Sequence, residues 1–168
     1  SSSDSNVINV NVSTNNVSGY SLSSNVGDSI NNPSTELRHS NYITSNDTSH
    51  SNAIFTSLNP TDRYVSFDDE SISPNTWGYS YSINNGTTWS NYSGLPLYSN
   101  TTTNDSTILR TNYNPADDTI NFKIAAKASN TQLAGTYTNT INFIAISYPS
   151  PMPLSEAYAY FGKSKVSV

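Results

Sequence analysis

The chain has 168 residues, with 12 acidic and 7 basic side chains that give a formal net charge of −5, and it contains no cysteine. So few basic residues leave no stripe that could neutralise a phosphate backbone, and nucleic-acid binding is therefore not expected. The missing cysteines exclude disulfides, zinc–thiolate sites and thiol nucleophiles.

Polar uncharged residues dominate the composition. The chain has 31 Ser, 24 Asn and 19 Thr, whereas charged residues make up only 11%, against about 25% in ordinary soluble domains. Such a surface is typical of secreted and cell-wall proteins, so we expect an extracellular, cell-surface location. Disorder is the alternative for so polar a chain, but 12 Tyr, 5 Phe and 2 Trp in alternating runs favour a folded domain. No apolar run approaches the ~18–20 residues that span a bilayer, so no membrane span is expected in this chain.

The N-terminal part of the chain shows the two-residue periodicity of β-strands. Residues 8–12 alternate Ile and Val with Asn, which predicts a half-buried strand. Residues 20–22 follow Gly19 and predict the return arm of a hairpin. Residues 27–51 are polar and have few apolar anchors. They form either a long decorated loop or weak edge strands.

The middle of the chain gives clearer strand signals. Residues 53–58 predict a short strand, and residues 65–67 mark another with Val and Phe. Residues 77–83 alternate Trp, Tyr, Tyr and Ile with smaller residues. The Asn-Asn-Gly sequence at 84–86 then suits a type I′ turn, with residues 88–92 pairing back.

The strongest strands come last. Residues 108–110 predict a short strand, and residues 120–126 place Ile, Phe, Ile and Ala on one inward row with Lys123 and Lys127 outside. A final strand over 137–145 supplies a second inward row. Many short strands, frequent turns and no amphipathic helix predict an all-β protein, an antiparallel β-sandwich of Ig-like or jelly-roll-like type.

A proline-rich stretch divides the chain. Residues 1–148 are expected to form the β-sandwich surface domain, and residues 149–168 a Pro-rich linker and an extended C-terminal tail. Prolines at every second position favour an extended polyproline II linker. Large apolar side chains of the tail are unfavourable in water, which predicts an assembly contact with another domain or another copy. These candidate assembly residues are Tyr158, Tyr160, Phe161 and Val166.

Four short motifs occur in order, at residues 12–22, 76–80, 94–96 and 127–143. Together they resemble the Ser/Thr/Asn-rich cell-surface proteins of Saccharibacteria-like candidate-phyla bacteria. The resemblance covers roughly residues 8–147 and implies a surface location and a β-sandwich fold. The Gly-Tyr-Ser-Leu and Ala-Gly-Thr-Tyr-Thr strands are also similar to WxL-type wall-binding domains and to Gram-positive pilin or adhesin domains. The chain departs from the WxL pattern because it has no Trp-x-Leu pair.

Aromatic residues in turn-rich stretches are the best candidates for recognition. Flat rings beside Asn side chains suit stacking on the apolar faces of sugars. The candidate ligand-binding residues are Trp89, Tyr92, Tyr98 and Tyr113. The alternative for Trp89 and Tyr92 is that they pack on their own hairpin.

Signals for metal binding and catalysis are sparse. The run Asp68, Asp69 and Glu70 offers carboxylate oxygens of the kind that calcium prefers, and calcium is the one candidate cofactor. His39 and His50 are expected to be solvated loop residues. No Gly-x-Ser-x-Gly nucleophile motif occurs, and no carboxylate pair is placed across a cleft. The sequence therefore predicts no catalytic residues and a protein that is not an enzyme.

Two functions follow from these features. The first is a non-catalytic bacterial cell-surface module, an adhesin or surface-display domain that binds a cell-surface glycan or protein. The alternative is a structural subunit of a pilus-like fibre or surface coat that assembles with copies of itself. In that case the tail or the N-terminal strand would add to an open sheet edge of a neighbour. The apolar tail favours the alternative, although it equally suits a further domain downstream.

Overall fold

The computed structural model describes residues 2–42, 51–99 and 106–149. Several residues with predicted roles lie outside these ranges: His50, Tyr158, Tyr160, Phe161 and Val166.

The described residues form ten β-strands and no α-helix, which confirms the prediction of an almost wholly β chain. The strands are β1 (Ser2–Asp4), β2 (Ile8–Thr14), β3 (Tyr20–Val26), β4 (Leu37–His39), β5 (Ile54–Ser57), β6 (Thr76–Ser82), β7 (Thr107–Asn112), β8 (Ala116–Lys127), β9 (Tyr137–Thr138) and β10 (Ile141–Ser147).

The ten strands belong to two sheets of unequal width. The larger sheet has the order β1-β8-β6-β5-β4-β9, and β2 also pairs with β8. The smaller sheet has the order β10-β3-β7. All of the strand pairs are antiparallel except β5 with β6, which run parallel. The prediction of antiparallel pairing is therefore wrong for that pair, where the long connection over residues 58–75 lets the chain return in the same direction.

Aromatic and aliphatic side chains from both sheets share one core. The inward row predicted for residues 120–126 is confirmed, and Ile120 and Phe122 of β8 are completely buried. The Tyr79 ring of β6 stacks on Phe122 with ring centres 5.2 Å apart, and Phe143 of β10 meets the same ring edge-on at 5.2 Å. Such offset and edge-to-face contacts add to the hydrophobic gain of burial.

The predicted type I′ turn is present between β6 and the segment that follows it. Asn85 and Gly86 have φ values of 57° and 78°, the left-handed conformation that this turn requires at both central positions. The chain then pairs back, because the Ser90 N–H donates to the Tyr81 carbonyl at 2.8 Å. The predicted return over residues 88–92 is thus confirmed at this contact.

The predicted hairpin between residues 8–12 and 20–22 is wrong. β2 pairs with β8 in the larger sheet, whereas β3 pairs with β10 and β7 in the smaller one. The connection crosses between the sheets at Gly19, where a Cβ atom would lie 1.8 Å from the Asn112 carbonyl oxygen. Alternation and a turn signal look the same in the sequence for a hairpin and for such a crossing.

The predicted strand over residues 65–67 is also wrong. Val65 is exposed in a loop, and Phe67 is buried with Leu58, Ile72 and Tyr92 in a second, smaller cluster. This cluster packs on Ala125, whose side chain faces away from the main core. Loops therefore cover part of the outer face of the larger sheet.

A charged hydrogen bond links the two sheets near one end of the core. The Tyr20 hydroxyl donates to Asp118 at 2.6 Å, and Asn112 donates to the same carboxylate at 3.0 Å. Burial, together with this hydrogen bond, raises the pKa of Tyr20 to about 12. The hydrogen bond from Tyr20 in turn holds the pKa of Asp118 below its usual range. Because the pKa of Asp118 is depressed in the folded state, its stabilising contribution is present near neutral pH and is lost in acid.

We expect Tyr20→Phe to lower the free energy of unfolding by about 2 kcal/mol near neutral pH, since it removes a hydrogen bond to a charged group. The difference from the unmodified protein should be smaller at about pH 3, below the ordinary Asp pKa of about 3.9, because the unfolded chain binds a proton there that the folded Asp118 resists. Urea unfolding at both pH values measures this, with Tyr98→Phe as the control. An equal loss at both pH values would argue against a charged hydrogen bond.

Candidate functional site

The structure distributes the four predicted ligand-binding aromatics over three separate places. Trp89 and Tyr92 lie together, with the Lys123 ammonium 4.4 and 5.4 Å from their ring centres. Tyr98 lies beside the end of β3, where its backbone N–H donates to Val26. Tyr113 is exposed in the connection between β7 and β8. No shared binding surface is formed by all four rings.

The Trp89–Tyr92 pair belongs to an internal ion-pair cluster. Tyr92 is only 8% exposed, and its hydroxyl donates to the Asp4 carboxylate at 3.0 Å. Lys123 donates to the same carboxylate at 3.0 Å. Burial opposes the charge on Lys123, but hydrogen bonds to Tyr92 and Asp4 outweigh burial and raise the pKa of the ammonium. The expectation that Tyr92 is an exposed binding ring is therefore wrong: the cluster holds β1 against β8.

The acidic run predicted to bind calcium makes contacts with neighbouring hydroxyls. Ser2 donates to Asp68, and the Ser71 N–H and hydroxyl donate to Asp69 at 2.9 and 2.6 Å. The Ser71 hydrogen bonds lower the pKa of Asp69. Glu70 is exposed beside them. Within residues 2–42, 51–99 and 106–149, no group of three or more potential ligands is placed to hold a metal. The calcium site stays a prediction.

A polar cavity of about 350 Å³ lies beside β4 and β9. Its His39 side chain is buried, with Nε2 3.1 Å from the Ala134 carbonyl and Nδ1 accepting from the Asn41 N–H at 3.0 Å. The prediction of a solvated His39 is thus wrong, because residues 37–39 form a strand inside the polar 27–51 stretch. Asn139, also in the lining, donates to two backbone carbonyls. These lining groups serve the fold.

Among the described residues the smaller sheet has two edge strands, β10 and β7, and only β10 lacks a charged residue. Among the described strands, β10 pairs with β3 alone. Its sequence, Ile-Asn-Phe-Ile-Ala-Ile-Ser, has no charge, proline or glycine. Natural proteins usually protect edge strands with charges, proline, bulges or covering segments, because an open edge can pair with another chain. β10 has no such residue of its own.

The direction of the free hydrogen-bonding groups on β10 follows from its pairing with β3. The Gly27 N–H donates to the Thr140 carbonyl, and the Tyr148 N–H donates to the Gly19 carbonyl. Antiparallel ladders alternate with a period of two, so the even-numbered residues of β10 are bonded to β3. The backbone groups of the odd-numbered residues, including Phe143 and Ala145, therefore point to the open edge.

The outer face of β10 is apolar and exposed. Ile144 and Ile146 are 36% and 58% exposed. Ile144 lies opposite Ser23 of β3, which in turn lies opposite Ile108 of β7. Ile108 is 60% exposed, so an Ile–Ser–Ile row crosses the outer face of the smaller sheet.

The inner face beside β10 is incompletely covered. Ala145 lies opposite the buried Leu22 and therefore faces inward, yet it is exposed. Ile8 of β2 lies opposite the buried Phe122 and is still 43% exposed. Because Phe143 also contacts Phe122, β2 and β10 border the same part of the core. We call these two exposed positions of the inner face, Ala145 and Ile8, the open side.

The periodicity over residues 137–145 predicts an inward row of side chains but gives no role to the outward residues between them. The available signal was the continuous apolar run of residues 143–146, Phe-Ile-Ala-Ile. Such a run fits a strand that is buried on both faces. Here it occupies an edge strand, and its outward side chains Ile144 and Ile146 are exposed.

Comparison with known proteins yields no relative. No protein-family model matches the chain, and no curated protein or solved structure is significantly similar to it. The resemblance to surface proteins of candidate-phyla bacteria therefore stays a prediction. In the part of the chain that the structure describes, no helix has the length and apolar character needed to cross a bilayer.

The hydrogen-bond pattern of β10 predicts alternating amide exchange in dilute solution. We expect the N–H groups of Ile144 and Ile146 to exchange at least about tenfold more slowly than those of Phe143 and Ala145, because only the former are bonded to β3. Residue-resolved hydrogen exchange by NMR measures these rates. Uniform protection along the strand would contradict an open edge.

Proposed function

We propose that this chain is a non-catalytic structural module of a bacterial cell surface, an antiparallel β-sandwich that assembles with copies of itself by strand addition. The observation that supports this most strongly is the uncharged, apolar edge of β10. Main-chain hydrogen bonds to an open edge provide affinity, and side chains at alternate positions provide specificity. A surface rich in hydroxyl and amide groups supports the extracellular setting.

The two faces of β10 favour assembly over accidental exposure. A strand added at this edge would cover Ile144 and Ile146 from the side and would cover the open side, Ala145 and Ile8. Each fully buried aliphatic side chain contributes about 1.5–3 kcal/mol relative to exposure. A head-to-tail contact of this kind produces an open fibre or coat unless its rotation closes into a ring.

Placing charges on β10 should abolish self-association. We expect the double variant Ile144→Lys and Ile146→Lys to be monomeric where the unmodified chain forms oligomers, because lysine on an edge strand disfavours pairing with another chain. Size-exclusion chromatography with light scattering measures the mass. The control is Ile30→Lys, since Ile30 is 84% exposed in the loop between β3 and β4, outside β10.

Unmodified protein that stays monomeric at every concentration tested would overturn the proposed assembly. Equal loss of oligomers in the Ile30→Lys control would show that added charge, rather than the edge, was responsible.

Adhesion is a second candidate function, and Tyr113 is the observation that favours it. Its ring is 69% exposed and stacks on Tyr148, with ring centres 5.4 Å apart. Exposed Val17 lies in the turn that the Tyr148 backbone contacts through Asn16. A flat aromatic surface among polar residues suits the apolar face of a sugar.

If the chain binds a glycan at this surface, Tyr113→Ala should weaken binding roughly tenfold, equivalent to about 1.4 kcal/mol. A glycan array followed by calorimetry on any positive glycan measures this. The control is Ile30→Ala, because Ile30 is an exposed loop residue. Tyr64→Ala is unsuitable as a control because Tyr64 packs on the smaller cluster. Unchanged affinity in Tyr113→Ala would exclude this surface.

A further inference from the structure

We infer that the strand added to β10 is the C-terminal tail of a second copy, residues 154–161, with Tyr158 and Tyr160 facing the open side. This inference rests on the proposed assembly function and names its donor strand. Three features support this inference. β1 is already paired within its own chain, the tail leaves the fold at the end of β10, and the tail sequence alternates large and small residues.

The N-terminal strand is already paired within its own chain. β1 lies antiparallel to β8, with Ser2 opposite Lys127 and Asp4 opposite Ala125. The Asp4 carboxylate is also bonded to Lys123 and Tyr92. Releasing β1 would break these contacts. Of the two connectors that the sequence predicts, the tail is the one that the described fold leaves for a neighbour.

The tail leaves the fold at the end of β10 in a fixed position. The Tyr148 N–H donates to Gly19 at 3.0 Å, and the Asn16 side chain donates to the Tyr148 carbonyl at 2.7 Å. Prolines then occupy every second position over residues 149–153. Such a sequence favours an extended chain of about 3.1 Å per residue and disfavours a tight reversal onto the same β10.

The sequence after the prolines has the properties of a donor strand. Residues 154–161, Leu-Ser-Glu-Ala-Tyr-Ala-Tyr-Phe, contain no proline or glycine that would weaken a strand. With a period of two, Tyr158 and Tyr160 share one face, and Ala157 and Ala159 share the other. The first face also carries Leu154 and Glu156, and the second also carries Ser155 and Phe161, so the first face is aromatic at residues 158–160 and the second is small at residues 155–159.

This pattern is complementary to the two faces of β10. On the inner face Ala145 is small and exposed, and Ile8 is exposed as well, so the tyrosine rings of an added strand would cover apolar surface there. On the outer face Ile144 and Ile146 are large, so small alanines fit beside them. The opposite orientation would place the rings beside the isoleucines in water and leave the open side uncovered.

Complementation between two defective full-length variants tests the inference. Ala145→Pro removes an N–H that points to the open edge and leaves the bonds to β3 in place, so it disables the acceptor. The double variant Tyr158→Ser and Tyr160→Ser disables the donor. We expect each variant alone to be monomeric. In an equimolar mixture, the tail of the Ala145→Pro chain should add to β10 of the tyrosine-deficient chain and form a dimer. Native mass spectrometry with one chain isotopically labelled measures this.

Matched controls separate specific from general effects. Ile30→Lys leaves β10 unchanged, and the double variant Ser164→Ala and Ser167→Ala changes the tail outside residues 154–161; both should assemble like the unmodified chain. Thermal unfolding checks that Ala145→Pro is folded. If it is not, the Ile144→Lys and Ile146→Lys double variant replaces it as the acceptor-deficient partner.

The outcomes distinguish failure of the tail as the donor strand from failure of the proposed assembly function. Oligomers of normal size from the tyrosine-deficient chain would overturn the tail as donor and leave assembly at β10 standing, for example as pairing of two β10 edges. A mixture that stays monomeric would also overturn the donor assignment. An unmodified chain without oligomers would overturn the assembly function itself.

Discussion

The packing of aromatic rings around Phe122 is the interaction on which the two-sheet fold depends. This completely buried ring of β8 is stacked by Tyr79 from its own sheet and met edge-on by Phe143 from the other sheet. The chain has no disulfides and few charges, so burial of apolar area supplies most of its stability. The same contact packs β10 of the smaller sheet over β8 of the larger one.

The unequal widths of the sheets explain why the two outer faces differ. Loops fold over the larger sheet and bury Phe67 and Ile72 against Ala125. The described part of the smaller sheet has three strands, and its outer face keeps Ile108, Ile144 and Ile146 exposed. Apolar exposure on an edge strand is a hazard for a secreted monomer. It is an advantage for a module whose edge is covered by a partner.

Residues that appear functional in the sequence are largely used for structure. Lys123, Asp4 and Tyr92 form an ion-pair cluster that fastens the N-terminal strand, and buried His39 satisfies two backbone groups beside Tyr137. In a chain with so few charged and imidazole groups, each one that is buried needs a partner. The candidate site therefore consists of backbone groups and isoleucines rather than of reactive side chains.

Local sequence determined the elements of this protein, and tertiary structure determined their partners. The sequence predicted the alternation over residues 120–126 and the Asn-Gly turn, because each depends on neighbouring residues alone. It did not predict the pairing of β2 with β8, the parallel pair of β5 and β6 or the burial of His39. Periodicity assigns a side chain to one face of a strand but does not identify the neighbouring strand. The open edge of β10 belongs to this second group: the apolar run over residues 143–146 is visible in the sequence, but its position at an edge follows only from its pairing with β3 at one end of the smaller sheet, which depends on residues far away in the chain.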